Sequence, residues 1–529
     1  MNAGTLRGTA TLDDLETSFQ GGKNIYIQGC AGSGKTTLLK TKVVEMLKQQ
    51  YGQDCLDSGA VQVCGTTGVS ALNIGGRTVH SVVGIGHGNG LGSDLWDKRT
   101  FEQQKEITEM LAPLTVLMCD EWPLMSGRMF DVLVDFLECA GKPRTSLQFL
   151  FSGDGCQLPP VAEKKDTGKR HACSWWWEAA CMAPAAAAAQ ARVDPLEFDY
   201  YLMPDFSHRH AGHADYFRLL QELAVRRPAE RYGSGRIKVA AAKLSEEFMG
   251  LLQRRHAACP ADGAVALCGT VETAAAINAE ALNQLSQGQG VRAYCAVQGT
   301  KVAGHGGLAH EGQVCAVIDG GDAAADHNDS GLGPKRLSLC VRAAVVTIRC
   351  VHPRVPTGSR GVVHGFKVDR VGAEMQWTRD ARWMELPADV RRRAPALVNP
   401  LCEWPEVGFN IDGDEIKVLI RPHMFMLETI TGVVLGHRLM VPLLLGYAMT
   451  IHRSQSLTLP KVAVFASELW EPGHLYTAMS RVRSPEDLQI ITTASGRAVW
   501  QSMRGAAASA AVLDWFKVTQ WKRLVLESS

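Results

Sequence analysis

Asn24-Ile25-Tyr26-Ile27-Gln28-Gly29-Cys30-Ala31-Gly32-Ser33-Gly34-Lys35-Thr36-Thr37 joins a β-prone run to a glycine-rich turn, and Leu38, Leu39, Val43, Met46 and Leu47 follow at helical spacing. Strand, turn and helix in that order are the setting in which G-x-x-x-x-G-K-[ST] forms a phosphate loop. Gly29, Gly32 and Gly34 let backbone N–H groups curl around a β-phosphate without a Cβ in the way, and the helix N-terminus behind them adds partial positive charge. Lys35 is spaced to reach the β and γ oxygens and Thr36 to ligate Mg²⁺. The stretch therefore predicts an ATP site whose loop runs through Gly29, Cys30, Ala31, Gly32, Ser33, Gly34, Lys35, Thr36 and Thr37.

Outward from the loop the alternation repeats. Residues 61–64 are β-like, 114–119 form a buried-strand run, 129–137 carry apolar residues at helical spacing, and 147–151 are β-like again. Strands alternating with helices predict a parallel sheet of α/β type. The run Leu114-Thr-Val-Leu-Met-Cys-Asp120-Glu121 ends on two carboxylates. Such a pair serves nucleotide hydrolysis if Asp120 holds Mg²⁺ and Glu121 polarises the attacking water as general base. Gly153-Asp154-Gly-Cys-Gln157-Leu-Pro-Pro160 follows the next strand, where the Gln157 amide can sense a γ-phosphate.

Beyond Pro184 a run of alanines suggests a domain boundary. A second α/β block opens with the strand 265–268 and a helix through Ala274, Ile277, Ala281 and Leu285. Residues 303–334 are rich in Gly, Ala and Asp and read as an insertion, and 337–425 hold short β pieces punctuated by Gly and Pro, as in a small all-β module. At 529 residues the chain has room for several domains. Lys and Arg (55) balance Asp and Glu (54), so any nucleic-acid contact must come from local patches rather than from net charge. Fifteen Cys without a single C-x-x-C pair indicate neither a disulfide framework nor a paired zinc ligand set. The longest uncharged apolar stretch, residues 439–451 with Pro442 inside it, is shorter than the about 20 needed to span a bilayer. The acidic N-terminal stretch lacks the apolar core of a signal peptide, so the expected setting is intracellular, with nucleus and mitochondrion not distinguished.

With these motifs in order, the chain resembles a superfamily one DNA helicase of the PIF (petite integration frequency) family, related to the RecD-type helicases. Gly65-Thr-Thr67-Gly68 through Thr78-Val-His80-Ser81 is similar to the family's motif Ia and the Thr-x-His-Ser element on the single strand. Gly153-Asp154-x-x-Gln157-Leu-Pro-Pro-Val161 resembles motif III, Thr450-Ile451-His452-Arg453-Ser454-Gln455 motif V, and Tyr476-Thr-Ala478-Met-Ser480-Arg481 motif VI. The resemblance implies a P-loop NTPase with two RecA-like parallel-sheet lobes and an inserted SH3-like β module. The expected domains are 1–190 for the first lobe, 191–356 with 436–529 for the second, and 357–435 for the insert. It makes Arg481 an arginine finger and Arg209 a second arginine on the γ-phosphate, and gives Gln157 the γ-phosphate role. It further implies ATP and Mg²⁺ as cofactors, 5′-to-3′ movement on single-stranded DNA with unwinding of fork or duplex, and possible RNA–DNA hybrid or G-quadruplex substrates. Strand contacts fall on Thr67, Gly68, His80, His452 and Ser454, with no membrane partner and a monomeric chain. DNA repair, recombination and telomere maintenance are the processes that go with the family.

The sequence departs from the family at several points. No Gln stands near Leu12, where the adenine-reading Gln belongs; Ser456 replaces the Gly that follows Ser-Gln in motif V; Arg453 replaces its Lys; Thr66 replaces the Pro of motif Ia. Three weaker features are read as structural. Trp175-Trp176-Trp177 is expected to pack rather than stack on bases, His208, His210 and His213 to be a solvated loop, and the tail 512–526 to be a helix on the second lobe. The competing readings are a catalytically weak nucleic-acid-binding relative, which the presence of Lys35, Asp120 and Glu121 opposes, and a small-molecule kinase, which would lack Gln455 and Arg481.

Overall fold

The structure is a computed structural model that describes residues 6–85, 91–160, 175–182, 195–225, 230–231, 237–239, 245–300, 336–349, 351–355, 358–369, 398–411, 413–428, 434–469, 471–492, 512–513, 515–516 and 519–526. The chain divides into two compact units, one of residues 1–271 with 449–529 and the other of residues 272–448.

The larger unit is built on an eight-stranded sheet in the order Leu6–Ala10, Trp521–Leu524, Phe198–Leu202, Asn24–Gln28, Gln148–Gly153, Val116–Asp120, Val61–Gly65, Arg77–Thr78. All of its pairings are parallel. Asn24–Gln28 and Val116–Asp120 are buried along their whole length, which is what strands covered on both faces require and why they read as unbroken apolar runs. One face packs Phe19, Leu39, Leu47, Val43 and Tyr201 into a core, so the apolar stripe of the helix after the phosphate loop is spent on the sheet. The other face is aromatic. Trp122 stacks on Phe151 with ring centroids 3.6 Å apart, and Phe130 and Trp176 meet Phe151 edge-on. Phe130 belongs to the helix Gly127–Cys139, which starts where the Ser126 hydroxyl caps the Met129 N–H.

The same unit holds a second parallel sheet, with His256–Ala257, Leu488–Ile491, Val462–Phe465 and Val265–Cys268 adjacent in that order and Ala448–Thr450 at its edge. Both α/β blocks expected from the sequence are present, and the parallel sheets bear out the fold class.

One local expectation is corrected and another is met. Residues 521–524 are not part of a helix on the second block: they form a strand inserted between Leu6–Ala10 and Phe198–Leu202 of the first sheet. Trp521, Trp515 and Tyr200 converge there, and aromatic burial with pairing on both sides of the strand outweighs the helical pattern of the tail. The Trp175–177 cluster does pack, and Trp177 stacks on Trp515 at 4.0 Å with the rings 2° apart.

The smaller unit contains a five-stranded antiparallel sheet, Asp414–Leu419, Glu403–Ile411, Arg360–Val368, Ala344–Thr347 and Leu443–Leu445 in order. Trp404, Tyr294, Val345, Val407 and Phe409 fill its core. The sheet takes in strands at 344–347 and 443–445, on either side of the 357–435 expected for the β module. The insertion read at 303–334 lies outside the described residues. No helix among the described residues is long and apolar enough to cross a membrane.

Candidate active site

Three strands of the first sheet deliver the chemistry at their C-terminal ends, where open parallel sheets bind ligands. Asn24–Gln28 runs into the loop, Val116–Asp120 ends on the carboxylate pair, and Gln148–Gly153 leads to Asp154 and Gln157. Gly32 and Gly34 have φ of 77° and 91°, so the loop needs glycine at both. A Cβ on Gly32 would also lie 2.5 Å from the Ser207 Oγ.

Lys35 is buried and its Nζ donates to Gly29 O (2.7 Å) and Cys30 O (3.1 Å), curled over the loop it serves. The Thr36 hydroxyl donates to Asp120 Oδ2 at 2.6 Å, and Ser152 and the Glu121 N–H donate to Oδ1. Burial first, and the adjacent Glu121 charge second, push the Asp120 carboxyl above its ordinary pKa. A hydroxyl and a carboxylate oxygen side by side, in a pocket that disfavours uncompensated negative charge, form the donor set of a hard divalent cation, so Thr36 and Asp120 fit Mg²⁺.

Glu121 sits at φ 57°, a left-handed backbone rare for this residue type, and that turn aims its side chain at the segment after the helix Ile451–Ser454. There Gln455 Nε2 donates to Oε2 at 3.2 Å and the Ser456 hydroxyl to Oε1 at 2.6 Å. Ser456 itself has φ 67°, the conformation for which glycine is suited.

Asp154 is a fully buried hub. Its Oδ1 accepts from Gln28 Nε2 and the Cys156 N–H, and its Oδ2 from Gln157 Nε2 (3.1 Å) and the Tyr476 hydroxyl (2.9 Å). Tyr476 also accepts the N–H of loop residue Ala31 at 3.1 Å. Arg481, fully buried, donates Nη2 to Gln157 Oε1 at 3.2 Å and Nε to Thr477 O at 2.8 Å. Arg209 donates Nε to Thr458 and Nη1 to Ser480 O at 2.8 Å. Burial, reinforced by the Arg481 charge, pulls Arg209 down to about 9, which leaves it cationic at neutral pH. Two guanidiniums that repel each other in one buried region are a set that a polyanion can neutralise.

The proposed strand contacts are arranged differently. Thr67 is exposed and its hydroxyl accepts the Ser70 N–H at the start of the helix Gly68–Ile74; His80 and His452 are partly exposed. Ser454 is fully buried, with its hydroxyl donated to Ile451 O and its carbonyl facing Arg481 Nη1 at 3.4 Å, so in this conformation it serves Arg481 rather than the surface. His210 is not solvated as expected. It is buried, with the Ser207 hydroxyl bridging its Nδ1 and Ala31 O, and its Nε2 against Val482 O at 3.0 Å. Sequence reasoning missed the roles of Asp154, Tyr476 and Ser456. The first two stand inside recognised motifs, but only the long-range contact reveals their partners.

Residues 11–183 match the family model described as PIF1-like helicase. The chain is 25% identical to the ATP-dependent DNA helicase PIF1 of Emericella nidulans over 90% of its own length and 59% of that protein's, so it spans about three fifths of this curated relative. Among solved structures, the Pif1 helicase from Candida albicans aligns over 96% of this chain and 98% of that one with a TM-score of 0.66 at 22% identity. The Bacteroides Pif1 bound to ssDNA covers 96% and 95%, with a TM-score of 0.57 and 19% identity. These likenesses bear out the family resemblance and the RecA-like phosphate-loop fold.

Proposed function

We propose that the chain is an ATP-driven DNA helicase of the PIF1-like kind, moving 5′ to 3′ on single-stranded DNA and opening fork or duplex ahead of it. The observation that carries the reading is the direct connection between the two parallel sheets through the site. Arg481, Gln455 and Ser456, from segments flanking the second sheet, touch Gln157 and Glu121 at the strand ends of the first. A kinase acting on a small molecule has no need for an arginine and an amide arriving from a second sheet; a motor does, because those contacts change when the γ-phosphate is lost.

In this reading Lys35 and the loop N–H groups bind the phosphates, and Arg481 with Arg209 neutralises charge that grows on the γ-phosphoryl oxygens. Thr36 and Asp120 would hold Mg²⁺, which would supply charge neutralisation for the phosphates. Glu121 orients the attacking water and takes its proton once Ser456 and Gln455 release it. Thr67, Gly68, His80 and His452 grip the strand backbone, which gives little sequence preference. The Emericella relative's name and the Bacteroides complex with ssDNA support DNA as the track; RNA–DNA hybrids and G-quadruplexes are further substrates of the same proposal, and the working unit is a monomer.

Steady-state ATP hydrolysis with and without single-stranded DNA, on the native chain, Lys35→Ala and Glu121→Gln, tests this. Strong stimulation by DNA in the native chain and a loss of at least about 100-fold in both variants is expected. Duplexes with a 5′ or a 3′ tail then read direction, with only the 5′ tail supporting unwinding. Hydrolysis indifferent to DNA, or unaffected by Glu121→Gln, would sink the motor.

A further inference from the structure

Outside the nucleotide site, the segments that carry motifs V and VI meet a second time. His452 stands on the short helix Ile451–Ser454, His474 opens the helix His474–Met479, and Glu471 lies in the turn just before it. The Glu471 Oε2 is 3.2 Å from the His452 Nε2 and 3.4 Å from the His474 Nε2, and the three donor atoms all lie within 4.8 Å of one another. The two rings stand at 89° to each other, 5.4 Å between centroids.

A carboxylate between two imidazoles makes a pair of ion pairs, and the same three donors are also the set that a shared cation takes. Glu471 Oε2 is shut off from solvent, with the His452 and His474 Nε2 atoms beside it. Nitrogen and oxygen donors gathered this closely can share a common centre. Metal bonds of about 2.0–2.1 Å at tetrahedral angles put neighbouring donors about 3.3 Å apart, and the two N···O separations here are of that size.

We propose that His452, Glu471 and His474 form a binding site for a divalent transition-metal ion of the Zn²⁺ class, with a fourth position open to water on the His452 side. The His474 and Glu471 side chains are 0% and 12% exposed and that of His452 31%, so two ligands are fixed by packing and the third faces the entry path. Two nitrogens and one oxygen suit Zn²⁺ and disfavour Mg²⁺, which demands oxygen donors and keeps its waters. The ion ties the segment carrying Gln455 and Ser456 to the helix carrying Tyr476 and leading into Arg481. It shares no donor with the Mg²⁺ set Thr36 and Asp120, and it stands whether or not the chain is a helicase.

The test is titration of the chelator-stripped full chain with Co²⁺, followed by displacement with Zn²⁺, in excess Mg²⁺. The expected result is one equivalent of Co²⁺ with the visible absorption of a tetrahedral nitrogen and oxygen site and no thiolate charge-transfer band, displaced by one equivalent of Zn²⁺. Glu471→Gln and His474→Gln should each weaken binding at least about tenfold. Should the buried His474 variant fail to fold, His452→Asn, at the more exposed position, gives the same readout. Absence of stoichiometric Co²⁺ binding overturns the proposal, as does binding with a thiolate signature, for example at the exposed Cys259 or Cys295, that survives all three substitutions.

Discussion

His210 shows how much one side chain can contribute to holding the site. Burial, with the nearby Arg209 charge, lowers its pKa from 6.5 to about 4. The unfolded imidazole therefore takes up a proton near pH 6.5 while the folded one stays neutral until about pH 4, so between those values the unfolded state binds more protons and stability falls as pH falls. The contribution is complete above pH 6.5 and amounts to at most about 3 kcal/mol lost by pH 4. Urea unfolding of the native chain and His210→Gln between pH 7 and 4 checks it: the gap between the two should narrow on acidification, and a gap constant with pH would remove His210 as its source. Ser456 is the converse case. Its replacement of glycine is plain in the sequence, yet the hydroxyl's use, a bond to Glu121, depends on a left-handed backbone that no residue pattern announces.

At the scale of elements, the strand, loop and helix from Asn24 onward were legible because buried-strand runs, glycine spacing and helical period agree over a short stretch. The carboxylate pair at Asp120 and Glu121 was legible for the same reason. What was not legible joins residues far apart in the chain: Asp154 to Tyr476, Arg481 to Gln157, His210 to Val482. The helix His474–Met479 gathers several of these. Gly473, its N-cap at φ 83°, lies so close to the Gln157 carbonyl that a Cβ would be 2.0 Å from it, which brings Tyr476 onto the phosphate loop. Tyr476→Phe keeps the ring and removes the hydroxyl, leaving the Ala31 N–H without its acceptor and Asp154 Oδ2 with Gln157 Nε2 alone. A loss of about 1–3 kcal/mol in unfolding free energy is expected, by denaturant titration without nucleotide. Unchanged stability would mean that Tyr476 merely fills space.

At the scale of the molecule, the eight-stranded sheet is closed over by its own C-terminal segment. Trp521–Leu524 separates Leu6–Ala10 from Phe198–Leu202, so the beginning of the described chain is attached to the sheet through its end. A helical pattern and three aromatic rings predicted a docked helix; the rings do dock, but on the phosphate-loop sheet, because Tyr26, Tyr200 and Trp176 already present an aromatic face there. Trp515 is the anchor, buried, stacked on Trp177 and edge-on to Trp521. Truncating it removes a large buried ring and the surface against which the last strand rests. Trp515→Ala should therefore cost about 3–5 kcal/mol. The loss should also be local: in hydrogen exchange, amides of Phe198–Leu202 and Leu6–Ala10 lose protection while those of Val462–Phe465 in the second sheet keep theirs. Loss of protection in both sheets alike would mean that they unfold as one cooperative body and that the tail strand is not a separable closure of the first.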